Sequence, residues 1–171
     1  MRLVSIALLI FLAASRPATA QSEGVDEPEA NPGRPTVSTP ATLTPVGYPQ
    51  FETGFTPAFD SHEFSSRYSL NEVIKLAVVP RLQVIVAADP IVHFSAGGST
   101  GNKVGDVFLG AQGVLYRGDR VKPTLAVSYS HKLYDGGAPE FDYDSPTNSF
   151  LILASADVKG FHYDANVFSL S

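Results

Sequence analysis

The 171-residue chain carries a formal charge of −5, with 44% hydrophobic residues and no Cys. That balance argues against a nucleic-acid partner and rules out a disulfide framework. It leaves room for one ordinary domain, not several.

Met1-Arg2 opens the chain with a positive charge, Leu3 to Ala14 is apolar, and Ala18-Thr19-Ala20 has the small-x-small form of a cleavage site. This pattern predicts a secretory signal peptide over 1–20, cut before Gln21, with an uncleaved anchor as the alternative. The apolar run is shorter than the roughly 20 residues of a membrane-spanning helix. Losing Arg2 and Arg16 with this segment takes the formal charge from −5 to −7. Residues 21–47 hold Pro28, Pro32, Pro35, Pro40 and Pro45 and the acids Glu23, Asp26, Glu27 and Glu29. Such a composition predicts a disordered linker, because too little apolar surface is available to offset the entropy of ordering.

From residue 48 to 171 the chain reads as strands. The first is expected over Tyr48–Phe55, with Phe51, Thr53 and Phe55 on one face. Next, Ile74, Leu76 and Val78 alternate with Val73, Lys75 and Ala77. After Pro80-Arg81 the alternation resumes with Leu82, Val84 and Val86. A period of two predicts a hairpin of strands near Tyr68–Val78 and Leu82–Phe94. A Gly/Ser-rich loop is expected over Ser95–Gly105, then a strand over Asp106–Tyr116 with Phe108, Gly110, Gln112 and Val114 on one face. The turn Arg117–Lys122 leads to a fifth strand, in which Leu125, Val127 and Tyr129 oppose Thr124, Ala126, Ser128 and Ser130. A long loop, Leu133–Asn148, precedes strands at Ser149–Ala156 and from Phe161 onward, the latter alternating Phe161, Tyr163, Ala165 and Val167 with His162, Asp164 and Asn166.

Long and short connections alternate, so an up-and-down sheet gathers all the tight turns at one end. Outer-membrane barrels have this asymmetry, and strands of about 9–11 residues suit a tilted span of the hydrocarbon layer. The pattern predicts an all-β, antiparallel, up-and-down transmembrane β-barrel, with outer-membrane lipid against its aliphatic face. Its lumen would be lined by Lys75, Gln83, Gln112, Ser128, Ser130, His162, Asp164 and Asn166. Phe55, Tyr68, Phe94, Tyr116, Tyr129 and Phe161 fit an interfacial girdle. A soluble, exported β-sandwich or small barrel in the periplasm, binding a ligand or partner, satisfies the same alternation and remains open. Oligomeric state is left open as well.

Several stretches carry a resemblance: Glu52-Thr53-Gly54, LNEVIKLAVVPRLQV, GDVFLGAQGVLYR, KPTLAVSYS and VKGFHYDAN. Arg81-Leu82 after a tight turn, then Gly105-Asp106 leading to Leu109-Gly110, is similar to the pattern of the outer-membrane transporters grouped with the meta-pathway of phenol degradation. The resemblance covers about Phe51 to Asn166. It implies a barrel in the Gram-negative outer membrane and a passive route for small solutes, aromatic or hydrophobic ones among them. It implies no catalytic residue. His131-Lys132-Leu133-Tyr134 stands where many relatives have Pro-Thr-Gly, so outer-loop geometry is expected to differ. Bacterial single-chain barrels have an even strand number. Seven strands therefore predict the amino-terminal part of a longer barrel, with a miscount by one strand as the alternative.

No catalytic, metal or cofactor site is predicted. Ser130 and His131 are neighbours on one strand and face opposite ways, and no Gly-x-Ser-x-Gly elbow exists. His62, His93 and His162 read as loop, surface or lumen residues. Asp135, Glu140, Asp142 and Asp144 could attract a divalent cation, but they match no calcium-loop spacing and read as a solvated acidic loop. Gly97 to Gly101 lacks the Lys-Ser/Thr ending of a phosphate cradle and reads as a flexible loop.

Overall fold

The computed structural model describes residues 39–119, 122–140, 146–159 and 161–171. The expected signal peptide and residues 21–38 of the expected linker lie outside them. Eight strands succeed one another: β1 (Pro49–Phe59), β2 (Ser66–Val79), β3 (Leu82–Ala96), β4 (Ser99–Lys103), β5 (Val107–Tyr116), β6 (Thr124–Tyr134), β7 (Asn148–Val158) and β8 (Phe161–Leu170). Seven of them pair in the order β1-β2-β3-β5-β6-β7-β8, every pair antiparallel, and the short β4 folds back onto the end of β3. The sheet curls into a half-barrel. Among the described residues, its pairing path starts at β1 and stops at β8, leaving one open edge on each.

The period-two pattern sets the two faces, since ladder partners lie on the same side of the sheet. Where the chain departs from strict alternation, the cause is local. β1 runs past its expected end through Pro57 to Phe59. Proline is tolerated there because an edge strand needs only one row of hydrogen bonds. In β3 the pairing passes from Ala88↔Glu72 to Ile91↔Leu70, so Asp89 and Pro90 oppose Asn71 alone. This bulge absorbs the proline and reverses the parity of the rest of β3. Phe94 therefore pairs with Arg67 on the inner face, not in an outer girdle, while Tyr68, Tyr129 and Phe161 stay outside. Ser99–Lys103, expected as loop, forms β4, a hairpin carried by Val92–Ala96 of β3.

Residues 39–47, expected as linker, form a strap that crosses the inner face near the tight turns. It ends in a turn closed by Tyr48 N–H to Pro45 C=O at 3.2 Å. Gly47 supplies the positive φ (83°) that the third position of a type II turn requires. The main apolar cluster sits between strap and sheet: Ala41, Val114, Ala126 and Leu153, with Leu43 and Leu151 against it. Burying one leucine of this kind contributes about 1.5–3 kcal/mol.

Candidate functional site

All eight residues expected to line a lumen fall on the inner face. Gln50↔Lys75 and Ala77↔Gln83 fix the β1–β3 side, and Gln83↔Gln112, Gln112↔Ser128 and Gly110↔Ser130 carry the same face onward. Leu153↔Asn166, Ser155↔Asp164 and Asp157↔His162 complete it on β7 and β8. Leu76, Val84, Leu109 and Val127 lie on the opposite face. The two faces differ in what they bury. Glu52, Arg67, Ser69, Lys75, Gln83, Gln112, Ser128 and Ser155 are buried, whereas Phe51, Phe55, Val84, Val86, Leu109, Leu125, Ile152 and Val167 are exposed.

The strap meets this polar face through its main chain. Oriented to satisfy both groups, the Asn166 amide accepts from Thr39 N–H (2.6 Å) and donates to Thr39 C=O (3.0 Å). Gln112 Nε2 donates to Pro40 C=O at 3.0 Å, and Ala41 N–H donates to Ser155 Oγ at 2.7 Å. Consecutive strap residues thus reach β5 and β7, two strands apart, because inward side chains converge on the hollow side of a curled sheet. Gln83 Oε1 accepts from both the N–H and the hydroxyl of Thr44, at 2.9 and 3.0 Å. Beyond the end of β1 the edge of β2 would be bare at Ala77. There Ala77 N–H donates to Thr44 Oγ1 (3.1 Å) and Gly47 N–H donates to Ala77 C=O (2.9 Å). Gln83, Gln112 and Asn166 thus bind the strap from the inner face.

Ion pairs occupy the rest of the face. Lys75 Nζ lies 2.5 Å from Glu52 Oε1, with the residues only 7% and 8% exposed, and Gln50 Nε2 donates to the same oxygen. Toward the long loops, Asp89 lies on the inner face in step with Gln83, 3.1 Å from Arg67 Nη2 and 2.5 Å from Asn71 Nδ2. Lys132 Nζ is 2.9 Å from Asp106 and 3.5 Å from Glu140. Carboxylate oxygens of Asp106, Asp135 and Glu140 lie within 4.8 Å of one another, so the acids of the long loop gather around an ammonium group. Asp142 and Asp144 lie outside the described residues. His162 Nδ1 is 2.8 Å from Asp157 and Nε2 is 3.2 Å from Asp164, which also accepts from Ser155 Oγ. The serine hydroxyl is engaged with a carboxylate, not the imidazole, so this chain of groups does not set up a nucleophile.

Comparison with family models, curated proteins and solved structures finds no match. The site therefore rests on its own geometry. Glu52, Arg67, Asp89 and Lys132 were not among the residues expected at it. Parity alone exposes Glu52, which stands two residues from Gln50 and out of step with Phe51, Thr53 and Phe55. Parity likewise exposes Asp89, which is in step with Gln83 and Ile85.

Gln83→Ala removes the acceptor of two buried strap groups and is expected to cost about 1–3 kcal/mol, the range for leaving buried donors without a partner. Equilibrium unfolding in guanidinium reads that loss.

Proposed function

We propose that the chain is an exported outer-membrane β-barrel protein, or part of one, that serves as a passive route for small solutes rather than as an enzyme. One observation carries this reading: large apolar side chains are exposed along the outer face while charged and amide side chains are buried on the inner one. Exposed apolar patches on soluble monomers rarely exceed a few hundred Å², whereas a lipid-facing wall needs a continuous apolar surface. Strand length supports it too, since β1, β5, β6, β7 and β8 have 10 or 11 residues each, the number a strand tilted by about 45° needs to span hydrocarbon. The Arg81-Leu82 and Gly105-Asp106 resemblance points to the phenol meta-pathway transporters.

A second reading, an exported periplasmic β-domain, is favoured by Glu72. It lies on the outer face opposite Thr53, whose hydroxyl donates to it at 2.9 Å, and a carboxylate there suits contact with protein or water better than lipid. Cell fractionation separates the two. The barrel is expected in the outer-membrane fraction with heat-modifiable electrophoretic migration; release by osmotic shock would overturn it.

A further inference from the structure

We infer that the tight-turn end of the inner face is a binding site for an extended polypeptide, filled by the chain's own residues 39–47. Recognition is of main chain by side chain. Asn166, Ser155, Gln112 and Gln83, from four strands, bind the backbone groups of Thr39, Ala41, Pro40 and Thr44. An edge-added peptide draws its bonds from a ladder. This segment crosses the strands instead, so side-chain amides and a hydroxyl must supply the donors and acceptors, and ladder pairing is confined to the Val46↔Ala77 bridge.

Backbone contacts impose an extended shape and little sequence; two pockets add the sequence. Ala41 is fully buried against Val114, Ala126 and Leu153, leaving space for a small side chain only. Thr44, 4% exposed, must offer a hydroxyl that donates to Gln83 and accepts from Ala77 N–H. Pro40 and Pro45 have no N–H, and their sites use only the carbonyls, through Gln112 Nε2 and Tyr48 N–H. The ligand class is an extended peptide with a small residue, a hydroxyl residue three positions on, and prolines tolerated beside each.

The geometry also makes the segment exchangeable. Its link to β1 is an exposed turn at Val46 to Tyr48. The side-chain amides and hydroxyls it covers would be rehydrated on release, whereas the apolar cluster that Ala41 and Leu43 close over Val114, Ala126 and Leu153 would open to water. None of this depends on whether lipid or water meets the outer face.

The test inserts a protease recognition sequence between Gly47 and Tyr48 of the full chain, cuts it after folding, and titrates a fluorescent peptide of residues 39–47. The uncut protein must first give the β-sheet circular dichroism of the parent. If it does not, the same insertion between Tyr48 and Pro49 is used. Expected are retention of the cut segment on the sheet, saturable exchange with the peptide, and binding weakened about tenfold by Gln83→Ala in the protein and at least as much by Ala41→Leu in the peptide. Loss of the segment without rebinding, retention without exchange, or equal competition by a scrambled peptide would each overturn the site.

Discussion

Lys75→Met should lower unfolding stability by about 3–5 kcal/mol, the range for leaving one member of a buried ion pair without its counter-charge. Glu52, in a position 8% exposed, would lose its ammonium partner while the Gln50 amide stays beside it. The same variant combined with Glu52→Leu should recover most of the loss, because an apolar pair of similar volume removes the desolvation cost along with the attraction. A guanidinium unfolding series on the two single variants and the double reads this directly. Equal losses for Lys75→Met and the double variant would mean that the pair is hydrated, not buried.

Ile152→Arg is the second large effect. Ile152 lies on the outer face at the middle of β7, between its long-loop and tight-turn ends. In a bilayer, an arginine near the midplane costs about 2–4 kcal/mol, falling to about 0–1 near the interface. Leu115 shares that face but stands beside the tight turn at the end of β5. A lipid environment therefore predicts a steep difference between Ile152→Arg and Leu115→Arg, measured by folding into vesicles. In water both substitutions fall within about 0.5 kcal/mol of the parent, as for ordinary surface changes. Equal penalties at both positions would indicate a protein cover instead of a bilayer.

Strands and their faces were legible in the sequence because a period of two needs no tertiary information. The parity of Lys75, Gln83 and Asn166 is set by Leu76, Val84 and Val167 beside them, and that of Gln112 by Leu109 three residues before it. What escaped was whatever breaks that period. Asp89-Pro90 adds one residue to β3 and reverses the face of Phe94, an event written in pairing rather than in composition. Ser99–Lys103 has no apolar alternation and becomes a strand only because β3 extends far enough to template it. The strap was hidden by its prolines, which suggest a linker when read with the acids upstream. One sign did separate the two: residues 35–51 carry no charge, whereas Glu23 to Arg34 carry several. A stretch meant for solvent has no reason to drop its charges; one that lies on buried amides does.

The open edges have a vectorial consequence. Six antiparallel steps separate β1 from β8, so the two run in the same direction. Direct union of the edges would create a parallel seam in an otherwise antiparallel wall. Any polypeptide that meets both edges in antiparallel fashion must bring an odd number of strands. One added strand would give an eight-stranded barrel, whose interior is just wide enough for its own side chains, and the strap already occupies that space. An antiparallel closure that keeps the strap in place therefore needs three added strands or more.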